Sequence, residues 1–187
     1  METINLSQVS LYKIKVPNWE ETKEKLLKLV PEDTLTQEGE GTWSDYPNTV
    51  ERRRHTGNHP YEHKFFEAID FEPHKVFGGS EGDYRCSDLW CMKYGLQGKI
   101  HLHDHNHGMS GILYTAYDPK HHCGTTFISP VRQIWDNYLV SYSPEVEEGD
   151  LILFPSRLQH YMPFPVYART VPRIVFSFNI RTTKYIG

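Results

Sequence analysis

The C-terminal half of this chain consists of short apolar or alternating runs separated by turn residues. Runs this short, with glycine or proline between them, are typical of small β-strands, because helices need longer periodic segments. Eight runs fit the pattern: Leu89–Tyr94, Lys99–His103, Gly111–Tyr117, Thr125–Ile128, Leu139–Tyr142, Asp150–Phe154, His160–Phe164 and Arg173–Ile180. We therefore expect a mainly β fold, a double-stranded β-helix or jelly-roll barrel.

The N-terminal half is more mixed and predicts one or two helices that support the barrel. Asn18 and Glu21 have the spacing of a helix-capping box, so one helix should begin there. Tyr61–Ile69 could form a second, shorter helix. The stretch Thr34–Pro60 is polar and contains glycine, which favours an excursion or lid over a core segment.

The size and composition of the chain limit its domain organisation and its partners. At 187 residues it fits a single domain, with N-terminal support and lid at 1–88 and a jelly-roll core carrying the functional site at 89–187. A net charge of −4 with scattered basic residues does not favour a nucleic-acid partner. Neither a membrane-length apolar segment nor a signal peptide is apparent, so we expect a cytoplasmic protein, in a host's cytoplasm if phage-encoded.

The histidine-rich run is the strongest functional signal. Between Gly98 and His107 the chain reads GKIHLHDHNH, with four histidines and an aspartate in seven residues. Imidazole is a common metal ligand at neutral pH because its free form is already uncharged. On an extended strand His101, His103 and His105 would share one face. The run therefore predicts a metal site at a strand end; the alternative is a surface histidine cluster without a specific metal.

Two later residues could complete such a site. His160 follows the strand that Pro155 ends, so it could bring a ligand from a second segment. Arg173 opens an alternating strand and shares a face with Ser177 and Asn179. A buried arginine needs an anionic partner, and its planar fork suits a carboxylate. The chain thus offers histidines for a metal and an arginine for a small acid.

Together these motifs resemble the Fe(II)- and 2-oxoglutarate-dependent oxygenases, particularly a bacterial and phage branch with a His-x-His…His motif. The resemblance covers roughly the C-terminal half, from Leu89 onward. It rests on five segments: Trp90, His103-Asp-His105, Ser110-Gly-Ile-Leu-Tyr114, Gly149-Asp-Leu-Ile-Leu-Phe-Pro-Ser-Arg-Leu-Gln-His160, and the strand from Arg173 to Asn179.

The resemblance implies roles for individual residues. His103, His105 and His160 would bind Fe(II), while Arg173 would hold the C5 carboxylate of 2-oxoglutarate, with Tyr114 as a further candidate for that ligand. It also implies a dioxygenase that uses O2 to hydroxylate a C–H bond of a small-molecule or peptide substrate, releasing succinate and CO2. Neither the substrate nor the oligomeric state can be read from the sequence.

Several alternatives remain open at this level. The first ligand pair could be His101 and His103 instead of His103 and His105. Asp104 could take part as the carboxylate of a two-histidine, one-carboxylate triad, although strand alternation turns it to the opposite face. A cupin-type metalloenzyme would share the fold, but it usually has a glutamate soon after His-x-His, and residues 106–117 contain none. A non-catalytic jelly roll is the third possibility.

Overall fold

The structure, a computed structural model, describes residues 9–30, 32, 35–39, 41–56, 59–95, 98–106, 108–130, 140–163 and 173–183. Within these ranges the N-terminal half forms β1 (Tyr12–Lys15), α1 (Trp19–Leu27), β2 (Thr36–Gly39), β3 (Thr42–Ser44), α2 (Tyr46–Thr56), α3 (Glu62–Ile69) and α4 (Pro73–Phe77). The C-terminal half forms β4 (Tyr84–Tyr94), β5 (Ile100–His103), β6 (Met109–Ala116), β7 (Thr126–Ile128), β8 (Ser141–Tyr142), β9 (Asp150–Pro155), β10 (His160–Met162) and β11 (Arg173–Thr182).

The strands form two antiparallel sheets. The major sheet has the order β1-β9-β6-β11-β4-β3-β2, and the minor sheet has the order β5-β10-β7-β8. The eight strands predicted from the sequence divide equally between them: β4, β6, β9 and β11 form the centre of the major sheet, and the other four form the minor sheet. This confirms the predicted mainly β jelly roll.

The N-terminal half adds more regular structure than the sequence suggested. The described residues before β4 contain four α-helices and a short 3-10 helix (Glu81–Asp83), where one or two helices were expected. The polar stretch 34–60 holds the β2–β3 hairpin and α2. The hairpin pairs with β4 and extends the major sheet. It is fixed by buried Asp45, whose carboxylate accepts hydrogen bonds from the Cys91 amide at 2.7 Å and the Tyr61 hydroxyl at 2.6 Å. Tertiary hydrogen bonds of this kind leave no periodic apolar signal.

The start of α1 differs from the predicted capping box. Asn18 has left-handed backbone angles, φ 48° and ψ 46°, and its side chain makes no capping hydrogen bond. Asparagine tolerates this conformation better than most residues. The helix therefore begins next to the predicted residue, but the predicted capping interaction is wrong.

The major sheet has an apolar core on each face, as strand alternation requires. Leu113, Phe176 and Phe178 face the helices and pack with α1 and α3, where Phe65 is fully buried. Ile112, Phe154 and Val175 face the minor sheet and form the second core together with Trp90 and Met162. The space between the two sheets is the region into which the predicted site residues point. No helix among the described residues is long and apolar enough to cross a membrane.

Candidate metal centre

Three histidines meet where the ends of β5 and β10 lie side by side. His103 is the last residue of β5 and pairs in register with His160, the first residue of β10. One ring nitrogen from each of His103, His105 and His160 lies within 4.8 Å of the others. A single ion at about 2.0–2.1 Å from each nitrogen could contact all three after small side-chain adjustments.

The hydrogen bonds of two of these imidazoles favour metal binding. Nδ1 of His103 lies 2.8 Å from the carbonyl oxygen of His101, and Nδ1 of His160 lies 2.8 Å from that of Leu158. A carbonyl can only accept, so each Nδ1 carries the proton and each Nε2 keeps its lone pair. Metal-binding histidines are usually oriented in this way by a backbone carbonyl or a carboxylate. The residues present therefore fit a metal ion.

His160 lies in apolar surroundings that keep it uncharged. Its side chain is buried, and the rings of Phe154 and Phe127 lie 4.7 and 5.9 Å from its ring. Burial lowers the pKa of His160 to about 4, and the neighbouring His103 and His105 act in the same direction. A metal ligand must be unprotonated, so His160 is in the binding-competent form at neutral pH.

His105 is held by its backbone and not by a strand. β5 ends at His103, and the amide of His105 donates to the carbonyl of Ser156, 2.9 Å away, at the end of β9. The hydroxyl of Ser156 donates to Ser110 at 2.8 Å, and that of Ser110 donates to Asn179 Oδ1 at 2.7 Å. This buried polar row ties the loop that carries His105 to the centre of the major sheet.

The structure separates the other residues of the histidine run from the cluster. Asp104 forms an ion pair with Arg157, at 3.8 Å, and does not join the three histidines. His101 is exposed and contributes only its carbonyl, to His103. His107 lies outside the described residues. The cluster therefore contains imidazoles alone.

Arg173 lies in the same pocket as the three histidines. It is 3% exposed, and its guanidinium carbon lies 4.7 Å from the ring centre of Tyr94 and 5.4 Å from that of Tyr114. Nη1 donates to the sulfur of Met162 at 2.7 Å, whereas Nε and Nη2 have no hydrogen-bond partner among the described residues. Leaving buried donors unpaired is costly, so these two atoms point to a bound acceptor.

The electrostatics of the pocket favour an anion. Its described lining side chains include one arginine and no carboxylate. Burial raises the pKa of Tyr94 to about 12 even though the Arg173 cation pulls that pKa down, so Tyr94 stays neutral and does not offset the charge. The arginine and any bound metal cation would both attract a negatively charged ligand.

Tyr114, the further candidate for an anion ligand, is committed elsewhere through its hydroxyl. That hydroxyl donates to Thr125 Oγ1 at 3.1 Å and accepts from the Thr125 amide at 3.0 Å. Tyr114 does not line the pocket itself, and its ring contacts the Arg173 guanidinium from behind the pocket wall as a cation–π partner.

Two neighbours of Arg173 were not identified from the sequence. Met162 lies two residues after His160, so alternation along that strand could have placed both on one face. Tyr94 pairs with Arg173 across two strands, and only the register of the sheet reveals this.

Comparisons with known proteins address the family and the fold of the chain. Residues 88–179 match the family described as "Putative 2OG-Fe(II) oxygenase". A comparison with curated protein sequences found no match. HygX from Streptomyces hygroscopicus, solved with nickel, 2-oxoglutarate and hygromycin B, superposes with a TM-score of 0.58 at 10% identity, over 94% of this chain and 84% of HygX.

Two further solved structures have the same fold. A prolyl-4-hydroxylase from Pseudomonas putida gives a TM-score of 0.56 at 15% identity, over 90% of this chain and 91% of the hydroxylase. SnoN, a non-heme α-ketoglutarate-dependent epimerase from nogalamycin biosynthesis, gives 0.59 at 12% identity, over 92% and 77%. At these identities the likeness concerns the fold alone.

Proposed function

This chain belongs to the Fe(II)- and 2-oxoglutarate-dependent oxygenases, and we propose that His103, His105 and His160 hold its Fe(II) while Arg173 binds the C5 carboxylate of 2-oxoglutarate. The enzyme is a 2-oxoglutarate-dependent dioxygenase with O2 as the second cosubstrate. When bound, iron and 2-oxoglutarate supply the oxidative chemistry, with release of succinate and CO2 and hydroxylation of a C–H bond.

The observation that carries this proposal is that one pocket contains both a histidine cluster able to bind a metal and an arginine with unpaired donors. Three imidazoles converge with no carboxylate among them, and Arg173 has two buried donors without an acceptor among the described residues. 2-Oxoglutarate carries a carboxylate at each end, and its 2-oxo acid end can chelate a metal. One molecule of 2-oxoglutarate can therefore bind a metal at the histidine cluster and form an ion pair with Arg173 at the same time.

The side chains of the site have distinct tasks in this scheme. The backbone carbonyls of His101 and Leu158 orient His103 and His160, so that each would present Nε2 to a bound ion. The rings of Tyr94 and Tyr114 keep the Arg173 guanidinium in place. We propose that Tyr114 contributes to cosubstrate binding through this ring contact.

The wider assignment follows from the same layout. We propose that residues 89–187 form the catalytic core and that 1–88 support it. The substrate would be a small molecule, like the hygromycin B that is bound in HygX, or a peptide, as the name of the prolyl-4-hydroxylase suggests. A cytoplasmic location and the absence of a nucleic-acid partner stay predictions from the sequence.

The test is metal-dependent turnover of 2-oxoglutarate without added substrate. We expect slow, O2-dependent release of succinate by the Fe(II)-loaded protein, and none from the chelated protein or from protein loaded with redox-inactive Zn(II). The Arg173→Gln variant should need far more 2-oxoglutarate to reach the same rate. Succinate release that is independent of Fe(II) would overturn the proposal.

A further inference from the structure

Met162 lies between the two ends of the proposed site. It follows His160 by two residues on β10, and both side chains are buried, with 5% and 4% exposed. Residues two apart on a strand share a face, so Met162 is next to a proposed iron ligand. Its sulfur also accepts a hydrogen bond from Arg173 Nη1 at 2.7 Å. One side chain therefore adjoins the metal end and contacts the arginine end.

The hydrogen bonding of Arg173 is divided in a specific way. Nη1 is bound to Met162, while Nε and Nη2 lack a partner among the described residues. Nε–H and the Nη2–H beside it point from one edge of the planar guanidinium. Two parallel donors on one edge form the arrangement that binds a carboxylate through both of its oxygens. The contact with Met162 thus uses the nitrogen that this two-point binding does not need.

The surroundings of Arg173 differ from those of Arg53, a partly buried arginine near α3. Arg53 donates to the carbonyls of Ser87 and Cys86 and lies 3.7 Å from the Glu62 carboxylate. The described contacts of Arg173 are a thioether and two aromatic rings, all of them neutral. These partners orient the guanidinium without neutralising it, so its charge remains available to an anionic ligand.

We propose that Met162 is a positioning residue that selects dicarboxylic over monocarboxylic 2-oxo acids. By holding Nη1, its sulfur keeps the Nε–Nη2 edge turned toward the pocket for the distal carboxylate of the cosubstrate. The inference rests on the proposed function, because it takes Arg173 as the anchor of that carboxylate. A 2-oxo acid without the distal carboxylate, such as 2-oxobutyrate, gains nothing from this orientation.

The experiment measures binding and needs no turnover. Protein loaded with Ni(II) is titrated calorimetrically with 2-oxoglutarate and with 2-oxobutyrate, and the ratio of the two affinities is compared among variants. Met162→Leu keeps the size and apolar character but removes the acceptor, so the ratio should fall about 5- to 10-fold, the size of one lost hydrogen bond. Met162→Gln restores an acceptor and should keep the ratio closer to that of the wild type.

The relative affinity ratios of Met162→Leu and Met162→Gln distinguish a positioning role of Met162 from a packing role. If Met162 only filled space, leucine would be the better replacement and glutamine the worse one. Met92→Leu is the matched control, because Met92 lines the same pocket but its sulfur accepts from the Tyr94 hydroxyl, 3.0 Å away. We expect Met92→Leu to leave the affinity ratio within about twofold of the wild type.

Two outcomes would overturn the inference, and they are distinguishable. An unchanged ratio in Met162→Leu, with a collapsed ratio in Arg173→Gln, would mean that the arginine binds the carboxylate without help from Met162. A ratio unchanged in both variants would remove the proposed role of Arg173 as well.

Discussion

The two sheets of this jelly roll are built differently, and each supplies one end of the site. The major sheet contains β4 and β11, of 11 and 10 residues, and has an apolar core on both faces. The described strands of the minor sheet have two to four residues. Arg173 comes from the major sheet, whereas His103 and His160 come from the minor one.

This difference assigns different physical roles to the two regions. The major sheet fixes the arginine through extensive burial, so changes within it should cost folding stability. The metal end is held by few strand contacts, and the bound ion itself would contribute to holding the histidines together. Changes there should cost ligand binding before they cost the fold.

The largest effect is expected at the metal end. His160→Ala removes one of the three proposed ligands and should abolish specific Fe(II) binding, a loss of at least about 100-fold in affinity. The far-UV circular dichroism spectrum of the metal-free variant should stay close to that of the wild type. Wild-type affinity in a metal titration of His160→Ala would contradict the ligand assignment.

The next effect is expected at the arginine end. Arg173→Gln should weaken 2-oxoglutarate binding to the metal-loaded protein by about 2–5 kcal/mol, the usual cost of removing one partner of a buried charge pair. Its metal affinity should change little, because Arg173 is not in the histidine cluster. Arg173→Lys should recover only part of the loss, since lysine lacks the bidentate fork. Calorimetry with 2-oxoglutarate measures all three proteins, and equal affinities would refute the role of the arginine.

The major sheet should respond through stability. A Cβ added at Gly111 on β6 would lie 2.2 Å from Cζ of Phe178 on β11, inside the buried core. Gly111→Ala should therefore lower the free energy of unfolding by about 1–3 kcal/mol, as overpacking does. Urea denaturation provides the measurement. Gly82→Ala is the control, because nothing lies within 4 Å of its added Cβ, and it should change stability by less than about 0.5 kcal/mol.

The stability of the contact between His59 and β4, which connects the N-terminal half to the major sheet, should depend on pH. Burial lowers the pKa of His59 to about 4, and its Nδ1 accepts from the Tyr61 amide while Nε2 donates to the Leu89 carbonyl. The unfolded chain therefore binds this proton more readily, near the ordinary pKa of about 6.5. The stabilisation is complete above about pH 6.5 and is lost as the pH falls from there toward about 4.

His59→Gln isolates this contribution. The free energy of unfolding of the wild type should drop more steeply between pH 7 and pH 5 than that of the variant. Parallel pH profiles for the two proteins would show that His59 does not contribute this pH-dependent stability.

The smallest effect is expected at Asp104. Its carboxylate pairs with Arg157 and lies outside the histidine cluster. Asp104→Ala should therefore change Fe(II) affinity by no more than about threefold, through the loss of a nearby, partly screened charge. A metal titration that shows a loss comparable to that of His160→Ala would make Asp104 a ligand.

The strands were predictable because each one carries its own signal. Alternation and turn residues locate all eight strands of the jelly roll, although β4 begins five residues before its predicted start at Leu89. The predicted ends at Leu139 and Phe164 lie outside the described residues. The β2–β3 hairpin and α2 were not predicted, because their sequences are polar and their order depends on contacts such as those of Asp45 with β4.

The candidate site residues were identified from the sequence, but strand alternation alone does not explain how they come together. Alternation placed His105 on a strand that in fact ends at His103. The hydrogen bond from the His105 amide to the Ser156 carbonyl is what brings His105 back to the cluster. His103 and His160 meet through the register of two strands that are far apart in the sequence. Register across a sheet is a tertiary property, which is also why Tyr94 was missed as a neighbour of Arg173.

The central claim is that three imidazoles and no carboxylate hold the iron. X-ray absorption spectroscopy of the Fe(II)-loaded protein tests it most directly, because imidazole rings give multiple-scattering signals that can be counted. The structure predicts three imidazoles per iron in the wild type and two in His160→Ala. The claim would be contradicted if the wild type had only two imidazoles per iron and if its third ligand were lost in a variant of an aspartate or a glutamate.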